Sequence, residues 1–294
     1  MRRKSEWIEV TKKERTLKML ELPELTHINK QFHSELKGKV IQRGVLGNSP
    51  HKFVWYNRSH EDFAHISQGK ILGESYVKGR WLFVPLEPNY VLLFGEFGGK
   101  FHYHNNQKPK PDKYHIWLDF TDNTSLGLTI QMWGFIGLYP KGKENEQQYL
   151  KGLRPDPLNS AFTLEYFQQL VGVQQSLGKR SIKGLLTQDQ LIPGIGNSTA
   201  LEIMFSSHLH PKRNIKDLNN DDIQILYASI LSTVKEITQK QGRDDETDLL
   251  GNKGKYHRIM SSANAGKPCP VCSTPIQKTQ YLGGACIFCP TCQR

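Results

Sequence analysis

The sequence predicts an α+β chain in three parts: a mostly antiparallel β-sandwich or barrel, a helical domain, and a C-terminal hairpin closed by four cysteines. Three observations carry this reading. Short β-branched and aromatic runs broken by turn residues occupy the stretch from Glu21 to Tyr139, the apolar period turns helical after Pro155-Asp156-Pro157, and all five cysteines fall within the last 26 of 294 residues.

The first 18 residues, centred on Trp7, carry Arg2, Arg3, Lys4, Lys12, Lys13, Arg15 and Lys18. They read equally as a basic arm for a polyanion or as a solvated helix. Leu22-Pro23-Glu24-Leu25 opens a helix, because proline is tolerated where a first-turn N–H has no partner. The strand runs follow at Phe53-Val54-Trp55-Tyr56, Arg80 to Val84, Tyr90 to Phe94, His115 to Phe120 and Leu126 to Ile130, with Glu87-Pro88-Asn89, Gly98-Gly99 and Thr121-Asp122-Asn123 as turns. Past residue 150, Phe162, Tyr166, Leu170 and Val173 recur at three or four residues. The clearest helix aligns Ile223, Leu226, Tyr227, Ile230, Leu231, Val234 and Ile237 behind the capping run Asn219-Asn220-Asp221-Asp222. This divides the chain into 1–18, 19–150, 151–265 and 266–294.

Composition narrows the function. No apolar run reaches the roughly 18 residues that a membrane helix needs, and the start lacks a signal-peptide core, so a cytoplasmic protein with no membrane partner is expected, nucleoid-associated if bacterial. A net charge of +11 and a pI near 9.3 suit a polyanion, since Lys and Arg neutralise phosphates and release condensed counterions. No Asp or Glu follows Asp248, so the end of the chain is purely basic. Clustered cysteines argue against a secreted disulfide scaffold and for metal.

Cys269-Pro270-Val271-Cys272 and Cys289-Pro290-Thr291-Cys292 are two Cys-Pro-x-Cys knuckles around a 16-residue insert. Each aims two thiolates at one point, and the two pairs complete a tetrahedral zinc site able to fold a hairpin too small for its own core. Cys286 also makes CxxC spacing with Cys289. Pairing Cys289 with Cys292 repeats the turn of the first knuckle and leaves Cys286 a spare thiol. Upstream, Gly194-Ile195-Gly196-Asn197 stands at the mouth of a helix, where glycines let backbone N–H groups approach an anion and Asn197 can add a donor. An ordinary helix cap would look the same.

In its surroundings this segment is specific. The run from Lys183 through Gly194-Ile195-Gly196-Asn197 to Phe205 and His210-Pro211-Lys212-Arg213 resembles the helix-two-turns-helix signature of the formamidopyrimidine-DNA glycosylase and endonuclease VIII family. Gln241-Gly242-Arg243-Asp244, Gly254-Lys255-Tyr256 and the terminal four-cysteine finger follow in the same order. Near the front, Met19-Leu20-Glu21-Leu22-Pro23-Glu24-Leu25 is similar to the family's opening motif, in which Pro-Glu-Leu-Pro-Glu follows the initiator Met. The resemblance implies an N-terminal β-sandwich, a helix-two-turns-helix domain and a zinc-finger hairpin that together clamp damaged double-stranded DNA as a monomer. It further implies base-excision repair by hydrolysis of an N-glycosidic bond, with Glu21 and Glu24 as the catalytic acids and Arg80, Lys183, Gly194, Gly196, Asn197, Lys255 and Tyr256 against DNA.

Departures from the family pattern shape the expected chemistry. The family's terminal Pro attacks C1′ through its amine and permits β-elimination. Leu20 takes that position, so weak or no AP lyase activity is expected. Glu21 remains as a general base that can aim water at C1′, or merely as a cap on the first helix. Lys18 or Lys30 could supply another amine. Gly284 stands where the finger has its phosphate-gripping Arg, and Arg80 replaces a phosphate-contacting Lys. Trp133 or Phe135 could fill the gap left by an extruded base, or belong to the sandwich core. His27, His33, His51, His102 and His104 match no metal spacing and read as surface or DNA-facing residues. The competing readings are an inactive damaged-DNA or DNA-structure binder and, more remotely, an RNA binder.

Overall fold

The computed structural model describes residues 19–47, 53–105, 110–131, 133–178 and 180–294. The basic extension with Trp7 and Lys18 lies outside the described residues, as do His51 and Met132.

Helix α1 (Leu22–Glu35) carries Pro23 in its first turn and buries Leu22, Leu25, Ile28 and Phe32 on one stripe. The strands form two layers. One sheet runs β1 (Ile41–Leu46), β8 (Ile116–Phe120), β9 (Ser125–Ile130), β7 (Gly99–His104), all antiparallel. The other runs β2 (Val54–Tyr56), β10 (Gly134–Pro140), β6 (Tyr90–Gly95), β5 (Trp81–Glu87), β3 (Ile71–Leu72), with β4 (Tyr76–Lys78) also paired to β5. The exception to the antiparallel pattern is β2 with β10, which pair in parallel. The period-2 rule is clearest in β5: Leu82, Val84 and Leu86 enter the core between the sheets, while Trp81 and Phe83 pack on the outer face with Leu93, Tyr139 and Leu150. A short helix, α2 (His60–Ser67), capped by the Ser59 hydroxyl, packs against β1.

The second lobe contains α3 (Leu164–Leu177), α4 (Ile182–Thr187), α5 (Asn197–Ser206) and α6 (Asn220–Gln239). In α6 the expected stripe is the core face, and Asn219 with Asp222 forms a reciprocal cap. In α3 the expected face is rotated. Val173 is 55% exposed, and Phe167, Leu170, Val171 and Gln174 turn inward, because Phe162 packs from the segment before the helix. The hairpin β11 (Gln277–Tyr281) and β12 (Gly284–Phe288) has no core of its own: Ile276, Ile287, Cys269 and Cys289 join the apolar cluster of the helices.

Helix α1 belongs to both lobes. Leu22 enters the helical cluster, whereas Leu20, Leu25, Ile28 and Phe32 enter the sandwich cluster, and Leu249 returns from the second lobe to the sandwich. The lobes are therefore fastened through the first residues of the sandwich domain. Among the described residues no helix is long and apolar enough to cross a membrane.

Candidate functional site

Helix α5 begins with unpaired N–H groups, as every α-helix does, and these attract negative charge. Here the charge comes from the chain itself. Gly196 and Thr199 donate to Glu21 Oε2 at 2.9 and 3.1 Å, and Ser198 donates to Oε1 at 3.1 Å. The glycine turn makes this possible. A Cβ on Gly196 would lie 2.5 Å from the Glu21 carboxyl carbon, and Gly194, at φ +92°, passes so close to Leu22 that a side chain there would collide. Gly196 thus receives an internal carboxylate and Gly194 the Leu22 side chain, rather than the two presenting an open phosphate cradle. The Glu21 carboxylate caps α5 of the opposite lobe, while Glu21 also stands at the N-cap of its own helix, where its N–H donates to Glu24 Oε2 at 3.1 Å.

A second donor completes the arrangement. Arg243, on the loop after α6, is 2% exposed. Its Nη1 donates to Glu21 Oε1, Nε and Nη2 grip the two oxygens of Glu24, and Nη2 also reaches the Met19 carbonyl, each at 2.9 Å. Burial alone would raise the Glu21 carboxyl, but the Arg243 guanidinium and the donors of Thr199 and Gly196 outweigh it and hold the group below its ordinary value. Burial likewise opposes the Arg243 charge, and the Glu21 and Glu24 carboxylates overcome it. Glu24 lies behind this arginine, away from the surface.

Glu21 lies at the edge of a cleft of about 990 Å³ between the lobes, whose walls include Met19, Arg80, Trp133, Asn197 and Arg258. Lys100, Lys253 and Lys278 make it basic, and Asp244 and Asp245 add carboxylates on the side of the α6 loop. Arg80 reaches the cleft but is paired with Glu96 at 2.7 Å. Burial pushes the Glu96 carboxyl up, against the pull of Arg80. Arg258 bridges Ser198 and Asp245.

Not every expected DNA contact faces this cleft. Lys183 is 1% exposed, and its ammonium donates to the carbonyls of Tyr281, Gly284 and Ala285, because the hairpin tip folds over it. Asn197 donates to the Ala285 carbonyl. Both fasten the hairpin to α4 and α5. A Cβ on Gly284 would already lie 3.3 Å from Asn197, so the bare tip is what lets the hairpin sit this close. Tyr256 is buried with its hydroxyl on Glu202, and Lys255 is exposed outside the cleft walls. Of the two candidate plugs, Phe135 packs on Trp81 and Tyr139 in the outer core, whereas Trp133 is 45% exposed in the cleft. His102 and His104 lie on β7 against Thr129 and Trp117, lining a separate hollow; His27 faces Asp248 and His33 the Ser75 carbonyl.

The Sγ atoms of Cys269, Cys272, Cys289 and Cys292 all lie within 4.8 Å of one another. Cys269 to Cys292 is 3.8 Å and Cys272 to Cys289 is 3.4 Å. Four thiolates on one tetrahedral ion at about 2.3 Å sit about 3.8 Å apart, so the set fits a metal. Cys286 is fully buried on β12 and outside the cluster.

Residues 19–131 match the model of the formamidopyrimidine-DNA glycosylase N-terminal domain, and residues 153–246 match that of the formamidopyrimidine-DNA glycosylase H2TH domain. The chain belongs to the formamidopyrimidine-DNA glycosylase family. A family member from Bacillus cereus, named formamidopyrimidine-DNA glycosylase, is 29% identical over 280 residues, covering 94% of this chain and 99% of its own. One from Enterococcus faecalis is 26% identical over 284 residues, covering 94% and 98%. Among solved structures, the Lactococcus lactis protein in complex with DNA containing N7-benzyl-Fapy-dG shares the fold with a TM-score of 0.82 at 20% identity, over 93% of this chain and 99% of its own. The Thermus thermophilus protein shares it at 0.78 and 24%, over 93% and 98%.

Set beside the family's opening motif, Leu20 is an internal residue. It is 2% exposed, and its N–H points to the Phe97 carbonyl at 3.4 Å. Sequence reasoning missed the parts of Arg243 and Arg258. Arg243 stood in the quoted Gln241-to-Asp244 signature, but nothing in a Gly-Arg-Asp string marks a side chain for burial.

Proposed function

We propose that this chain is a base-excision repair glycosylase that grips damaged duplex DNA between its lobes, extrudes one nucleotide into the cleft and hydrolyses its N-glycosidic bond. The observation that carries the reading is the ionised Glu21 carboxylate at a basic cleft walled by sandwich, helices and hairpin. Both Glu21 oxygens are saturated by donors, which makes a poor proton acceptor but a fixed negative charge. We therefore assign it to stabilising the oxocarbenium character at C1′ rather than to general-base catalysis. Water then adds at C1′, the bonding pair leaves with the base, and a proton is lost to solvent. With an amide nitrogen at Leu20, the terminal amine of the family's opening motif is missing at that position, so strand cleavage is weak or absent.

Trp133 stacks into the gap left by the extruded base, Arg80 supplies charge near the backbone, and Asn197, with Lys183 behind it, holds the hairpin in place. Zinc on Cys269, Cys272, Cys289 and Cys292 contributes structure, not chemistry. The protein acts as a monomer on cytoplasmic, nucleoid DNA. The alternative, a binder that has lost catalysis, draws on Leu20 and on the uncharged tip at Gly284.

Incubation with oxidised, alkylated and abasic duplexes, scoring base release, nicking and borohydride trapping separately, decides between them. Base release without nicking or trapping, lost in Glu21→Gln and weakened in Trp133→Ala, is the expected result. Tight binding with no base released from any lesion would leave only the binder.

A further inference from the structure

The guanidinium of Arg243 has no part in the chemistry just described, yet Arg243 is the largest fully buried side chain among the described residues. It reaches from the loop after α6, in the second lobe, to three groups of the first: the Met19 carbonyl, Glu21 and Glu24. Met19 and Glu21 both line the cleft. We infer that Arg243 is a positioning residue for the reaction, locking the backbone at Met19 and the carboxylate of Glu21 into one fixed geometry across the seam between the lobes. This rests on the glycosylase reading above.

The fork matters. One planar group makes a bidentate contact with Glu24 through Nε and Nη2 while Nη1 reaches Glu21, and its own main-chain N–H also donates to Glu24 at 3.1 Å. A lysine offers one point of charge and cannot hold three acceptors in one plane. A purely architectural clamp between lobes needs only Glu24. The extra arm to Glu21 and the grip on the Met19 carbonyl concern the residues at the cleft.

The charged groups around Glu21 are Glu24 from α1 and Arg243 itself, with Glu246 and Asp245 around the arginine and Arg80, Lys253, Asp244 and Arg258 further along the cleft walls. From α5 come only N–H donors. Removing the guanidinium leaves burial, the largest influence on Glu21, opposed by those donors alone, so its carboxyl moves upward. Because the reaction needs Glu21 ionised, activity then fails as pH falls through the new value and returns as pH rises.

The test compares wild type with Arg243→Gln and Arg243→Lys. Single-turnover base release is followed across pH, and the Glu21 carboxyl is titrated by carbon NMR on protein labelled at glutamate Cδ, its signal identified by Glu21→Gln. We expect the Gln variant to move both the Glu21 midpoint and the acid limb of the rate upward by about one pH unit or more, with a rate deficit of about tenfold below that limb that closes in alkali. The Lys variant shifts less, and should the Gln variant not fold, the same paired shifts in the Lys variant decide. A rate lowered equally at every pH with an unmoved Glu21 midpoint would overturn the inference, reducing Arg243 to a structural clamp. Absence of base release by wild type would sink the glycosylase reading instead, while the Glu21 titration still reports whether Arg243 sets that carboxylate.

Discussion

The protein gathers like-charged groups in two places and neutralises them by different means. In the finger, four thiols converge from two knuckles, each only four residues long, and fit one cation. At the lobe seam, Glu21 and Glu24 converge on an arginine 219 residues from Glu24 and on the start of a helix about 175 residues from Glu21. The first cluster is assembled by short-range spacing and suits an ion. The second needs the whole fold and no ion. A charge cluster can thus be written locally, as a spacing, or globally, as a meeting of distant segments, and the two should fail differently.

The largest expected effect separates them outright. Metal removal by a strong chelator, or Cys272→Ser with Cys292→Ser, should release the hairpin, since structural zinc supplies about 10–16 kcal/mol in small domains. Protease cutting between residues 266 and 294 and loss of DNA affinity, with the sandwich still folded, are the signs to look for. A hairpin that stays resistant without metal would show that packing, not the ion, holds the thiols.

Arg243→Met should come next, costing about 3–5 kcal/mol in urea unfolding at neutral pH, because it leaves two buried carboxylates without their countercharge. The sign with pH is fixed by the direction of the shift. Glu21 is held below its ordinary value of 4.5, so its contribution is present above that value and is lost as pH falls through the depressed one. In the variant the carboxyl moves up, so acid favours the folded state and the stability gap from wild type narrows on acidification. A constant gap would mean that Glu21 is not the group responsible.

Lys183→Met links the two regions, since this ammonium holds the hairpin tip against α4. Leaving those carbonyls without their donor should cost about 1–3 kcal/mol. The slope of DNA affinity against salt should hardly change, whereas a lysine on a phosphate would lower it by about 0.9. Smallest of all, Cys286→Ala should leave bound zinc unchanged and cost about 1 kcal/mol, measured by metal content and Tm. A drop in bound metal would put Cys286 in the ligand set and undo the assignment to Cys292.

Much of this was legible in the sequence. The strands β5, β6, β8 and β9 follow their β-branched and aromatic runs, and the face of α6 follows its apolar stripe. The four clustered thiols follow from two repeated Cys-Pro-x-Cys turns. Each of these is a constraint between residues a few positions apart, and periodicity or spacing records it directly. Glycines at 194 and 196 announced an anion at the start of α5, but not that the anion is Glu21.

The rest belonged to the tertiary structure. Glu21 stands at the N-cap of the helix beside it in the chain, yet its carboxylate accepts the N–H groups of another helix beside it in space. Trp133 and Phe135 differ by two positions and are equally aromatic, yet Trp133, just before β10, faces the cleft, whereas Phe135, within β10, packs into the outer core. Lys183, Tyr256 and Arg243 carry polar ends that sequence assigns to solvent or phosphate, and packing places all three inside. The physical reason is common to them: burying a charge or a hydroxyl is tolerable only where partners are already assembled. Those partners are carbonyls, carboxylates and helix ends brought from up to about two hundred residues away.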